Sequence, residues 1–235
     1  MELPVFYARG LDATATAYTM DEATSKYCVQ VLRREKGQPV LLANGQGQKF
    51  SAIITDDNRK KCVVQVTHCE TLPKPAPTLR IAIAFTKHAG RMEWFLEKAT
   101  EIGVQSIIPL LTHRTEKEKF KTERLESILV AAMLQSQQYY LPELAAPVAF
   151  ETLVQRPGVE QRFIAHCLPE QKTPLQQAMQ PGQNTLILIG PEGDFTPAEV
   201  QLALEQGFQP VSLGNTRLRT ETAGMVACVL MNASK

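Results

Sequence analysis

Two stretches combine residue types and spacings that suit a ligand pocket. The first, "IGPEGDFTPAE" at 189–199, leaves an apolar run, "TLILIG", through two glycines and a proline. Gly190 and Gly193 permit a sharp turn and a close backbone approach by a ligand. Thr196, Pro197 and Glu199 then spell a helix start: a threonine cap, proline at the first helical position, and a glutamate completing a capping box. The second stretch, "VSLGNTRLRTETAG" at 211–224, leaves another apolar run through Gly214 and carries Arg217, Arg219, Thr220, Glu221 and Thr222 into a closing helix. Taken singly, either is equally well an ordinary strand-to-helix turn, with Thr220 or Thr222 as a cap and Arg219 paired with Glu221. Two such loops at one sheet edge would form a pocket for a small polar ligand. The spacing is neither GxGxxG nor GxxxxGK[ST], so dinucleotide binding and nucleotide hydrolysis by a phosphate loop gain no support.

The elements that must position these loops follow from hydrophobic period. From residue 73 onward the chain alternates strand and helix: "LRIAIAF", then "RMEWFLEKATEIG", then "VQSIIPLL". In the first helix Met92, Phe95, Leu96, Ala99 and Ile102 share one face, and Gly103 is the stop. A second helix is expected at 121–138, a third at 196–206 and a last from about Thr222, with strands "RFIAH", "TLILIG" and "PVSL" between them. Such alternation predicts an α/β fold with a mainly parallel sheet and helices on both faces. In parallel sheets ligands bind beyond the carboxyl ends of the strands, where both glycine loops would lie. Before residue 73 the pattern is short β-rich runs, "PVFYA", "QPVLLA", "QKFSAIIT" and "CVVQVTHC", broken by "NGQG" and by one helical stretch, "DEATSKYCVQVLRR". The proline-rich "ETLPKPAPTLR" at 70–80 is the expected linker, giving a small β-barrel at 1–72 and an α/β domain at 73–235.

Composition narrows the function classes. The chain has 235 residues, 44% of them apolar, enough for a substantial core. No apolar stretch is long enough to span a bilayer and no basic-then-apolar leader is evident, so a soluble, cytoplasmic protein without membrane attachment is expected. Five cysteines without a CxxC pair fit reduced thiols, and the doublets His68-Cys69 and His166-Cys167 lack the supporting ligands of a metal site. Net charge is +1, but residues 73–124 hold ten Lys/Arg against six Asp/Glu, a modest basic region able to meet phosphates. The stretch "RTEKEKFKTERLE" reads equally as a solvated helix.

At the two loops the sequence resembles the ribosomal RNA uridine N3-methyltransferases of the SPOUT superfamily, enzymes acting on 16S RNA of the small ribosomal subunit. "VLRREKGQPVLLANGQG", "KATEIGVQSIIPLLTHRT" and "QSQQYYLPEL" extend the resemblance along the chain. It implies a PUA-like RNA-binding β-barrel, a SPOUT domain with a parallel sheet and a deep trefoil knot, a homodimer, and S-adenosylmethionine as cofactor. Three positions depart from the family pattern. Asp194 stands where a third glycine is more common, Tyr27 where a histidine is usual, and Gln138 where an arginine is frequent.

By the same resemblance Ile189, Gly190, Glu192, Gly193, Leu213, Gly214, Leu218, Arg219, Thr222 and Ala223 wrap the cofactor. Methyl transfer to uridine N3 needs the N3 proton removed and the resulting negative charge held, so positioning and charge stabilisation dominate. Arg219 is the candidate for holding that charge, and Glu221 or Glu101 for assisting proton removal. N3 lies on the Watson–Crick edge, so the uridine must be unpaired. Arg9, Arg33, Arg34, Lys87, Arg91 and Arg114 are the candidate RNA-binding cations, with Gln135 and Ser136 to orient the base or meet a second subunit. The alternatives are an RNA-binding or ribosome-assembly module that has lost transfer activity, and an RNA methyltransferase of different base specificity.

Overall fold

The computed structural model describes residues 3–116, 120–158 and 161–234, in two compact units. The first takes the chain up to Lys74 and adds Met133–Leu141; the second holds Pro75–Ala132 and Pro142–Lys235. The added stretch is one that a single cut in the sequence does not anticipate.

The first unit is a five-stranded sheet of β1 (Val5–Tyr7), β2 (Ala17–Thr19), β3 (Pro39–Ala43), β4 (Gln48–Asp56) and β5 (Val63–Thr71), in the order β1-β3-β4-β5-β2. β1 runs parallel to β3 and the other pairs are antiparallel. Among the described residues no ladder joins β1 to β2, so the expected barrel is a half-barrel. Alternation along β4 sends Phe50, Ala52 and Ile54 into a core shared with Phe6, Val40, Leu42 and Val64. Helix α1 (Glu22–Lys26) begins at Asp21, whose carboxylate accepts from the Thr24 amide at 2.7 Å, and passes directly into a π-helical turn, Tyr27–Val31. That turn buries Cys28 while leaving Tyr27 and Val31 exposed. Within this unit "NGQG" is more than a hairpin turn. Gly47 donates its amide to the Tyr139 carbonyl at 2.8 Å, and a Cβ on Gly47 would lie 2.1 Å from the Tyr140 ring.

The second unit is an all-parallel sheet. Its elements are β6 (Leu79–Ile83), α2 (Ala89–Ile102), β7 (Ser106–Leu111), α3 (Thr122–Gln135), β8 (Glu143–Leu144), β9 (Val148–Ala149), α4 (Phe150–Val154), β10 (Gln161–Ala165), β11 (Thr173–Pro174), α5 (Leu175–Ala178), β12 (Thr185–Ile189), α6 (Pro197–Glu205), β13 (Gln209–Ser212) and α7 (Thr220–Ala233). The last three residues of α3 belong to the first unit. The strand order is β11-β13-β10-β12-β6-β7-β8, with β9 beside β7. One face of the sheet packs Ala82, Ile108, Leu186 and Leu188 against Phe150 of α4 and Val200 and Ala203 of α6. The other carries α2 and α7, which meet so closely that a Cβ on Gly224 would lie 2.7 Å from the Phe95 ring and 2.8 Å from Ile83. In α2 Met92, Phe95, Leu96 and Ala99 are buried, and Gly103 ends the helix at φ 89°.

Two helix boundaries differ from expectation. α3 stops at Gln135, because Gln137 turns the chain at φ 55°; α7 starts at Thr220, two residues early. The solvated helix read in "RTEKEKFKTERLE" begins only at Thr122; its residues 117–119 lie outside the described residues.

Candidate active site

Strand β12 is wholly buried and, although late in the chain, is inserted between β6 and β10. The register sets Ile189 level with Ile83 on one side and with Ala165 on the other, and Ala165 in turn level with Val211. The carboxyl ends of four strands therefore open on one edge, where the spatial order departs from the chain order, and parallel sheets bind ligands at such a place. Both glycine loops rise from this edge.

The first loop is locked from three sides. Gly190 lies against Phe195, whose ring and amide would each stand 3.2 Å from an added Cβ. Asp194 occupies a left-handed conformation, φ 60°, a region that aspartate tolerates better than most residues. Its carboxylate accepts from the Phe195 amide at 2.8 Å and from the Cys167 amide at 2.7 Å, tying the loop to the chain leaving β10. Thr196 and Glu199 form the expected capping box. The buried Glu199 has a second role, accepting from the His113 amide at 2.8 Å and so anchoring the chain after β7. Arg114 donates to the carbonyl of Gly193.

The second loop passes through Gly214 at φ 136°, where an added Cβ would meet nothing within 4 Å. Leu213 and Leu218 are half-buried, and Arg217 and Arg219 exposed. Arg219 is the N-cap residue of α7 and makes no side-chain capping bond. Thr220, expected as a possible cap, is instead the first helical residue, and its hydroxyl donates to the Gly190 carbonyl at 3.1 Å. This buried bond joins the two loops. Glu221 does not pair with Arg219 as weighed from sequence; its Oε1 lies 3.7 Å from Arg91 Nε. Thr222 is exposed and Ala223 half-buried in the first turn.

Some candidates gather at this edge and others do not. Lys87, beyond the end of β6, pairs with Glu116 at 2.8 Å; that bond, with Glu192 a lesser contributor, holds its pKa above the ordinary lysine value. Arg91 is engaged with Glu221 and Arg114 with Gly193. Glu101 sits near the far end of α2, bonded to Lys98 at 2.8 Å. Three residues past that helix, Gln105 donates its amide to the Leu79 carbonyl at the start of β6, so Glu101 lies toward the amino edge of the sheet. It is not brought together with the loops. Arg9, Arg33 and Arg34 belong to the first unit, as does Gln135 at the end of α3. Arg9 follows β1 in a turn, and Arg33 leaves the π-helical turn at φ 52°.

Two residues at the edge escape sequence reasoning as ligand contacts. Thr86 Oγ1, past β6, and both ring nitrogens of His166, past β10, are buried without a hydrogen-bond partner among the described residues. Buried polar atoms are nearly always satisfied, so orphans at a sheet edge indicate where a polar ligand fits. No group of three or more potential metal ligands occurs among the described residues.

This is the fold of an RNA methyltransferase: residues 73–232 match the RNA methyltransferase domain family and 21–67 the RNA methyltransferase PUA domain family. A ribosomal RNA small subunit methyltransferase E from Synechocystis sp. is 34% identical over 230 residues, 95% of this chain and 74% of its own. The chain belongs to the ribosomal RNA small subunit methyltransferase E family. A probable rRNA-methyltransferase from Porphyromonas gingivalis superposes with a TM-score of 0.92 at 39% identity, covering 98% of each chain. The Neisseria gonorrhoeae ribosomal RNA small subunit methyltransferase E, solved bound to S-adenosyl methionine, superposes with a TM-score of 0.86 at 25% identity, covering 99% of this chain and 98% of its own.

Proposed function

We propose that this chain transfers a methyl group from S-adenosylmethionine to N3 of a uridine in 16S ribosomal RNA of the small subunit. The observation that carries the reading is the pair of glycine loops, joined by Thr220 and Gly190, with orphaned polar atoms of Thr86 and His166 on the segments that leave β6 and β10 at the same edge. The Neisseria relative, bound to the same cofactor, adds support. When bound, the cofactor supplies an electrophilic methyl group on a sulfonium. Backbone groups of Ile189, Gly190 and Gly193, with the side chains of Leu213 and Leu218, would hold its adenosine half.

Arg219 is the residue assigned to the anion left when the uridine N3 proton departs. It stands exposed at the amino end of α7, where the helix dipole adds positive potential. Glu221, in the same turn, is the assigned proton acceptor; Glu101, toward the opposite edge, is withdrawn from that role. Cations of the first unit, Arg9, Arg33 and Arg34, contact RNA phosphates, and the target uridine is taken unpaired. The trefoil knot and the homodimer belong to the same reading. Trp94 on α2 and Val229 on α7, 45% and 48% exposed on helices that pack together, are the apolar residues we assign to the subunit contact.

Isothermal titration calorimetry of the full chain with S-adenosylmethionine, followed by transfer of labelled methyl to small-subunit RNA, tests the proposal. Saturable binding with label in RNA is expected. Binding of RNA without cofactor uptake at millimolar S-adenosylmethionine would make the chain an assembly module instead.

A further inference from the structure

His166 is the first residue past β10, the strand lying between the two that feed the glycine loops. Its neighbour Ala165 is level with Ile189 and with Val211, so His166 leaves the sheet midway between the starts of both loops. The side chain is only 7% exposed, and neither Nδ1 nor Nε2 has a partner among the described residues. A neutral imidazole carries one donor and one acceptor, and burial of both unsatisfied is disfavoured. An apolar side chain would fill the same space without that penalty. The backbone here is fixed, because the next amide, Cys167 N–H, donates to Asp194 of the first loop at 2.7 Å. Burial first, and then Lys172, press the ring toward its neutral form, against weaker opposition from Glu170 and Asp194.

We propose that His166 is a positioning residue for S-adenosylmethionine, its imidazole donating one hydrogen bond to the adenosine half and accepting another. The ribose hydroxyls and the adenine edge each offer both kinds of partner, whereas the carboxylate of the methionine half only accepts and its ammonium only donates. The assignment rests on the cofactor reading given under Proposed function.

Calorimetric titration of the full chain with S-adenosylmethionine, wild type beside His166→Phe and His166→Asn, tests it. The phenylalanine variant should melt no lower than wild type without ligand yet bind about tenfold more weakly or worse, the scale of a lost buried hydrogen bond. Asparagine, which retains a donor and an acceptor, should recover part of the loss. Equal affinity in all three proteins would overturn the role of His166 while leaving the cofactor reading intact. Failure of the wild type to bind at millimolar cofactor would overturn both. Should the phenylalanine variant not fold, ring-nitrogen NMR of the wild type decides: one of the four histidines should move on saturation, and four unmoved signals would overturn the role.

Discussion

The hydroxyl of Thr220 donates to the carbonyl of Gly190 across 3.1 Å in a buried setting, joining the first residue of α7 to the first residue beyond β12. The entrance of one loop is thereby fixed against the exit of the other, so the crevice between them has a set width.

Replacing Thr220 with valine leaves that carbonyl buried and unpaired. Chemical denaturation should register a loss of about 1–3 kcal/mol, and calorimetry a weaker grip on S-adenosylmethionine. Thr220→Ser should restore both. A valine variant as stable and as tightly binding as the parent would show that the bond does not couple the loops.

Arg219 contributes no capping bond and lies exposed, so its removal should spare the fold. Arg219→Ala is expected to lower the rate of methyl transfer on the order of a hundredfold, the effect of losing one charge-stabilising group, with little change in melting temperature. Single-turnover transfer assays would check this; normal turnover would remove Arg219 from the chemistry.

The loops were readable in the sequence because their local chemistry is explicit. Thr196, Pro197 and Glu199 encode a helix start that needs no distant partner, and Gly214 marks a backbone only glycine enters easily. The alternation that defines the parallel sheet was equally legible. What stayed hidden depends on contacts between distant residues. Insertion of β12 between β6 and β10 is a matter of spatial order, and this order gives His166 its place between both loops. Asp194 reads in the sequence as one more polar loop residue, and only its bond to Cys167 together with its left-handed backbone shows how it fixes the first loop. Glu101 suited proton transfer by type, but α2 carries it toward the wrong edge of the sheet. The role of Tyr140 against Gly47 also joins residues far apart in sequence.

Arg33 and Arg34 emerge from the π-helical turn on the first unit. Changing either to alanine should weaken binding of small-subunit RNA fragments and flatten the salt dependence by about one unit of log-log slope for each phosphate no longer neutralised. Cofactor affinity should not move. Filter-binding titrations at several salt concentrations would test this, and an unaltered slope would count against this surface as a phosphate grip.

Burial, reinforced by Lys172, holds the pKa of His166 below its ordinary 6.5, while Glu170 and Asp194 act weakly in the other direction. As pH falls below about 6.5 the unfolded chain therefore takes up this proton before the folded one, and stability declines until the folded-state pKa is passed. Above that window the contribution is complete and flat. Denaturation curves of wild type and His166→Phe should diverge only in acid, with the variant losing less. Parallel curves would contradict the assigned shift.

Methyl transfer to uridine N3 by way of the paired loops is the reaction we propose for this chain. Nucleoside mass spectrometry of 16S RNA from cells lacking this protein, before and after incubation of their small subunits with purified protein and S-adenosylmethionine, tests it most directly. N3-methyluridine should be absent beforehand and appear afterwards, and Arg219→Ala protein should restore it far more slowly. A small subunit already carrying that nucleoside, or one that gains methyl on a different base, would contradict the account.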